Sequence, residues 1–175
     1  GGRAIADALV GAFSPAGRLP VTFYRSDADL PAFEDYAMQG RTYRYFDGKP
    51  LFAFGHGLTY TRFEYSGLSV ARSADGLAAT LTVTNTGCVT SDEVVQLYAS
   101  RAEPGAGDPI RWLVGFQRVR ELVPGESREV EIDCPKRWLA LWSDAEAKRS
   151  VAPGALTIAA GPASDDLLLR ADVGL

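Results

Sequence analysis

One histidine and two cysteines in 175 residues leave little from which a His/Cys metal centre, or a Ser–His or Cys–His nucleophile, could be built. Two thiols 46 positions apart do not make a disulfide framework; sequence alone leaves Cys88 and Cys134 either free or joined by one bridge in an oxidising compartment, with free thiols the favoured reading. No apolar run approaches the ~20 residues of a membrane-spanning helix. Basic residues number 18 against 22 acidic ones, for a net charge of −4, and form no stripe suited to nucleic acid. No phosphate-cradling loop occurs either: Gly105-Ala106-Gly107 lacks the strand and helix that such a loop needs. No cofactor is expected, nor a nucleic-acid or membrane partner. The chain also opens without Met, on Gly1-Gly2-Arg3 followed at once by Ile5, Leu9 and Val10 at helical spacing, and this suggests a piece of something larger.

What is present is apolar residues at 46%, enough for a packed core. The chain divides near residue 60. Residues 2–11 read as an amphipathic helix ended by Gly11, followed by turn chemistry at Ser14-Pro15-Ala16-Gly17 and a short β-prone run, Leu19–Tyr24. Residues 25–61 have no period but many aromatics, among them Phe33, Tyr36, Tyr43, Tyr45, Phe52 and Phe54; they are too apolar for a free linker and read as an irregular strap lying over neighbouring surfaces. From residue 62 to 175 the pattern is β. Leu77, Ala79, Leu81 and Val83 share one face, and Glu129–Cys134 alternates almost perfectly. Further runs lie at 63–70, 93–99, 112–122 (interrupted at Gly115), 139–142, 155–159 and 167–171, separated by Pro124-Gly125, Pro153-Gly154 and Gly161-Pro162. Seven or eight short strands predict a β-sandwich, so the fold class is mainly β, preceded by a short α/β fragment.

Several motifs carry a resemblance. Residues 1–24 resemble the end of the α/β sandwich domain of glycoside hydrolase family 3, and Gly40-Arg41-Thr42-Tyr43-Arg44-Tyr45-Phe46 resembles the segment that follows it in β-glucosidases and β-xylosidases. Phe52–Phe63 is similar to the family's junction with its C-terminal, fibronectin type III-like domain. Marks of that domain follow in order: Val83–Gly87, Asp92–Tyr98, Leu113–Phe116 and Pro124–Ser127. Val114, Val123 and the stretch Ala145–Arg149 depart from the family pattern.

The resemblance implies a division into 1–24, 25–61 and 62–175, and a parent enzyme that cleaves terminal β-linked glucose or xylose with retention. Retaining glycosidases place a nucleophile and an acid/base carboxyl group about 5–5.5 Å apart. In this family the former lies on an N-terminal (β/α)8 barrel and the latter earlier in the α/β sandwich, so no catalytic residue is assigned and the chain alone is expected to be inactive. Its expected partners are those barrel and sandwich domains and the parent's oligosaccharide substrate, and a periplasmic or secreted location is favoured over a cytoplasmic one. Glu34, Tyr36, Arg41, Tyr43 and Arg44 are the candidate substrate contacts, since aromatic faces stack on sugars and guanidinium groups donate paired hydrogen bonds. For Arg41, Tyr43 and Arg44 a domain interface is the favoured role. Asp27 and Asp29 read as turn caps, and His56 as a packing residue. Trp112, Trp138 and Trp142 read as core, or as the stacking platform of a stand-alone carbohydrate-binding module; a purely structural module is the other alternative. Burial of all three would exclude the platform.

Overall fold

The computed structural model describes residues 1–143, 147–151 and 153–174; part of the divergent stretch Ala145–Arg149 lies outside them. The alternating segments form the strands they predict. β1 (Phe63–Ser73), β2 (Gly76–Asn85) and β5 (Ser127–Pro135) make one antiparallel sheet in the order β1-β2-β5. β3 (Ser91–Arg101), β4 (Trp112–Leu122), β8 (Ala155–Gly161) and β9 (Leu169–Gly174) make the other, in the order β4-β3-β8-β9. The two sheets face each other over a core that includes Leu77, Leu81, Val83, Val95, Leu97, Val114, Ile132 and Ile158. Each of these comes from the inward face of its strand, as period-2 alternation requires.

β4 is one continuous strand, and the interruption expected at Gly115 takes the form of a register shift against β3: Leu97 pairs with Gly115 and Tyr98 with Leu113, leaving Val114 unpaired between them. A Cβ at Gly115 would lie 2.7 Å from Ile132 Cγ2 and 3.1 Å from the Asp133 carbonyl. Glycine thus lets β4 approach β5 closely instead of breaking the strand. The expected strand at 139–142 is also revised. Lys136–Leu139 forms a single helical turn, α3, that buries Leu139, and the strand β6 is confined to Leu141–Ser143, where it pairs with β7 (Lys148–Ser150). Both cysteines are free, Cys88 exposed and Cys134 in the core.

Ahead of the sandwich, α1 spans Gly2–Leu9 and ends as the Gly11 N–H donates to Ala8 O at 3.1 Å, with Gly11 at φ +75°. The run 19–24 is extended but too poor in partners for a sheet. It forms one bridge, Phe23 to Phe52, while the Leu19 N–H donates to His56 O and the Gly55 N–H to Leu19 O. A 3₁₀ turn at Asp27–Asp29 carries a capping box of Ser26 with Asp29, whose carboxylate accepts from the Arg25 and Ser26 N–H groups; Asp29 thus has the local capping role expected of it, and Asp27 opens the turn. Otherwise the strap is irregular apart from one helical turn, α2 (Thr42–Tyr45).

Candidate functional site

β3 is the element on which the rest of the chain converges. A strand in an open sandwich is buried on one face, yet β3 buries Glu93, Val95, Gln96, Leu97, Tyr98 and Ala99. Val95, Leu97 and Ala99 belong to the core between the sheets. Gln96 and Tyr98 point the other way, and the strap covers them. The Tyr43 ring stacks on Phe54 at 4.3 Å and meets Tyr98 edge-on at 5.8 Å. Its hydroxyl accepts from the Leu113 N–H at 3.1 Å. The Gln96 amide donates to the carbonyls of Gly55 and Pro162, and its oxygen accepts from the Tyr98 hydroxyl at 2.6 Å. Gly55 sits at φ +83°, where a Cβ would lie 2.1 Å from Gln96 Oε1; the glycine is needed for both its backbone and its clearance.

At the end of the core face lies Glu93, 1% exposed. Arg18 Nη2 donates to both its carboxylate oxygens, at 2.6 and 2.7 Å, and the Tyr65 hydroxyl donates to Oε1 at 2.8 Å. A buried charge without partners would be costly, so these donors are what allow a glutamate here. Burial raises the Glu93 carboxyl above its ordinary value despite Arg18 and the Tyr65 hydroxyl. Burial, and then the charge of Glu93, push the Tyr65 phenol up as well. With its oxygens occupied and no surface open to a substrate, Glu93 is a clamp and not a general acid.

The five candidate substrate contacts fall in two places. Glu34 and Tyr36 are on an exposed loop, with Tyr36 89% and its neighbour Phe33 90% exposed. Arg41 holds that loop from within: it donates to the carbonyls of Ala37 (3.0 Å), Ala32 (3.5 Å) and Asp35. Tyr36 and Arg41 line one shallow hollow together with Phe33 and Asp35. Tyr43 and Arg44 sit elsewhere, on α2, Tyr43 being engaged by the sandwich as above. Of the tryptophans, Trp112 is buried, its indole N–H donating to Trp138 O, whereas Trp138 is 38% and Trp142 62% exposed. Burial of all three, the condition that would exclude a stacking platform, is therefore not met. His56 is half-buried with its ring against Phe52 at 5.1 Å, a packing position. Among the described residues, no group of three or more His, Cys, Asp or Glu could hold a metal ion.

The sequence reading did not find the Arg18–Glu93–Tyr65 clamp. Its partners are 75 and 28 positions apart. The available signal was an acidic residue at the start of an otherwise apolar strand pattern.

Apolar surface outside the sandwich is concentrated ahead of it. Ile5 (62%), Leu9 (75%) and Val10 (79%), the apolar stripe of α1, face outward, as do Phe33, Tyr36 and Leu58. Residues 1–60 thus grip the sandwich with one set of side chains and leave a second apolar set uncovered.

Comparison with known proteins assigns a class to this arrangement. Residues 1–60 match the glycosyl hydrolase family 3 C-terminal domain, and residues 93–164 the fibronectin type III-like domain. The chain is a family 3 C-terminal segment joined to a fibronectin type III-like domain, homologous to β-glucosidases and β-xylosidases. A xylan 1,4-beta-xylosidase of Xylanibacter ruminicola is 40% identical over 172 residues, which is 97% of this chain and 20% of the relative. A periplasmic beta-glucosidase of Salmonella typhimurium is 33% identical, over 92% of this chain and 23% of the relative. The crystal structure of a Bifidobacterium adolescentis family 3 beta-glucosidase superposes on all of this chain with a TM-score of 0.89 at 33% identity, and the match covers 28% of that structure. The chain therefore spans between a fifth and three tenths of the length of these relatives. No helix among the described residues is long and apolar enough to cross a membrane.

Proposed function

We propose that this chain serves as the C-terminal portion of a retaining β-glycosidase acting on terminal β-linked glucose or xylose. Its role there is docking and stability, and it does not supply the catalytic carboxylates. The observation that carries this is the two-sided character of residues 1–60, clamped to the sandwich through Arg18–Glu93 yet exposing Ile5, Leu9, Val10, Phe33 and Leu58. Large apolar side chains left exposed in number on one segment point to an interaction surface. The occupant that fits the resemblance is a (β/α)8 barrel with the rest of the α/β sandwich, which divides the chain into an α/β end (1–24), a strap (25–61) and the fibronectin type III-like domain (62–175). In this reading Glu34 and Tyr36, on an exposed loop braced by Arg41, contribute to the rim of a neighbouring domain's active site; their exposure and the bracing support it. Tyr43 serves the strap's own packing, and Arg44 joins it through its backbone carbonyl, which accepts from the Ile110 N–H. The periplasmic relative supports an exported location.

The test is hydrolysis of aryl β-D-glucoside and β-D-xyloside by the purified chain, beside a polypeptide in which a family 3 barrel and sandwich precede it. The chain alone is expected to show no turnover above buffer, and the longer polypeptide to be active. Turnover by residues 1–175 alone would overturn the reading.

A further inference from the structure

The docking role leaves one well-formed surface unused. Two clefts, of about 450 and 390 Å³, share Arg44 and Arg149 in their walls and so make one trough across α2, the β6–β7 hairpin, α3 and the start of β4. Ring faces line it. Tyr45 and Trp142 lie in one half, Phe116 and Trp138 in the other, and the last two are within 9° of parallel at 6.5 Å. Phe116 is 54% exposed, an exposed ring like those of Trp138 and Trp142.

Charge decides what the trough suits. Three guanidinium groups, those of Arg44, Arg137 and Arg149, line it in a chain whose net charge is −4. Arg137 lies 5.7 Å over the Trp138 ring, and Arg44 lies 5.7 Å over the Tyr45 ring. None of the three has a carboxylate partner among the described residues. Arg44 Nε is buried with no acceptor among the described residues. The acidic group in the wall, Asp108, is already taken by Arg101 at 3.0 Å. A buried donor without an acceptor and two further guanidinium groups with no carboxylate partner, among the described residues, suit an anionic acceptor, and a planar guanidinium fork matches a carboxylate. The exposed ring faces call for a ligand with flat C–H surfaces, which pyranose rings have.

We propose that this trough binds an acidic oligosaccharide, a short chain of pyranoses bearing a uronic acid, with Trp138, Phe116 and Trp142 under the sugar rings and the arginines on the carboxylate. An acidic peptide would satisfy the arginines but brings no flat surface for the rings. The docking role rests on other side chains, Ile5, Leu9, Val10, Phe33 and Leu58, so failure of this site would leave that role untouched.

The test is titration calorimetry on the full chain at low ionic strength. The probes are a xylotetraose bearing one glucuronic acid, the same tetraose without it, sodium sulfate, and hexaglutamate. The acidic sugar is expected to bind at least about tenfold more tightly than each of the others, the scale of one charge-assisted contact. Trp138→Ala and Arg149→Gln are each expected to weaken it about tenfold with an unchanged melting temperature. Equal binding of the neutral sugar, equal or tighter binding of sulfate or hexaglutamate, no binding of any probe, or indifference to both substitutions would overturn the proposal.

Discussion

At the scale of single residues, Glu93 carries the most consequence. It lies inside the end of the core, and its charge is tolerated because Arg18 and Tyr65 meet it there. Removing one partner of a buried pair leaves the other charge stranded. Glu93→Ala or Arg18→Ala should therefore cost about 3–5 kcal/mol in urea unfolding. Glu93→Leu combined with Arg18→Met removes both charges while keeping volume, and should cost less than either single change; strictly additive losses would show that the two side chains act independently. The thiols differ just as sharply. Burial, with a smaller push from Asp133, raises Cys134 to about 12, while Cys88 is exposed. An aromatic disulfide reagent should titrate one thiol per native chain and two in denaturant, because the thiolate is the reacting species. Two fast thiols in the native protein would contradict this burial.

Among the elements, the strands were the most legible in the sequence. Leu77, Ala79, Leu81 and Val83 are all buried, as are Val130, Ile132 and Cys134, because a half-buried sheet enforces the alternation that announces it. β3 was legible as a strand but not as a platform, since its outer face is covered from far upstream, by Gly55 against Gln96 and Tyr43 against Tyr98. The stripe of α1 gave its helix away but not its exposure; a pattern says that a face is apolar and not what covers it. The candidate sugar contacts were found as residue types, but their separation onto a loop tip and α2 depends on how the strap winds about Arg41, which no periodicity encodes. The bulge where β4 passes Asp92 makes its own prediction. Glu121 there has φ +51°. Its N–H donates to Asp92 Oδ1 at 2.8 Å, and Arg118 Nε donates to Oδ2 at 2.7 Å. Burial raises the Asp92 carboxyl, but these two donors outweigh it and hold the group below its ordinary value. Its contribution to stability is thus complete above the unfolded value of about 3.9 and is lost as pH falls through the folded one. Asp92→Asn should flatten the fall in melting temperature below about pH 4 relative to the parent chain. An unchanged acid slope would mean that Asp92 is not held by the bulge.

For the molecule as a whole, the strap and the sandwich are one body. β3 faces the opposing sheet with Val95 and Leu97 and the strap with Gln96 and Tyr98, while Arg18 closes the end. A segment so held can present Ile5, Leu9, Val10 and Phe33 outward on a fixed frame, which is what a docking surface needs. Amide hydrogen exchange on the intact chain tests this most directly. The Leu19, Phe23, Leu51 and Gly55 N–H groups each donate to a carbonyl across residues 19–56. They should exchange slowly in the native chain, and Glu93→Ala should speed them selectively while β2 and β5 stay protected. Exchange of those four amides at the rate of an unfolded peptide in the unmodified chain would show that the strap is not clamped, and would contradict the account.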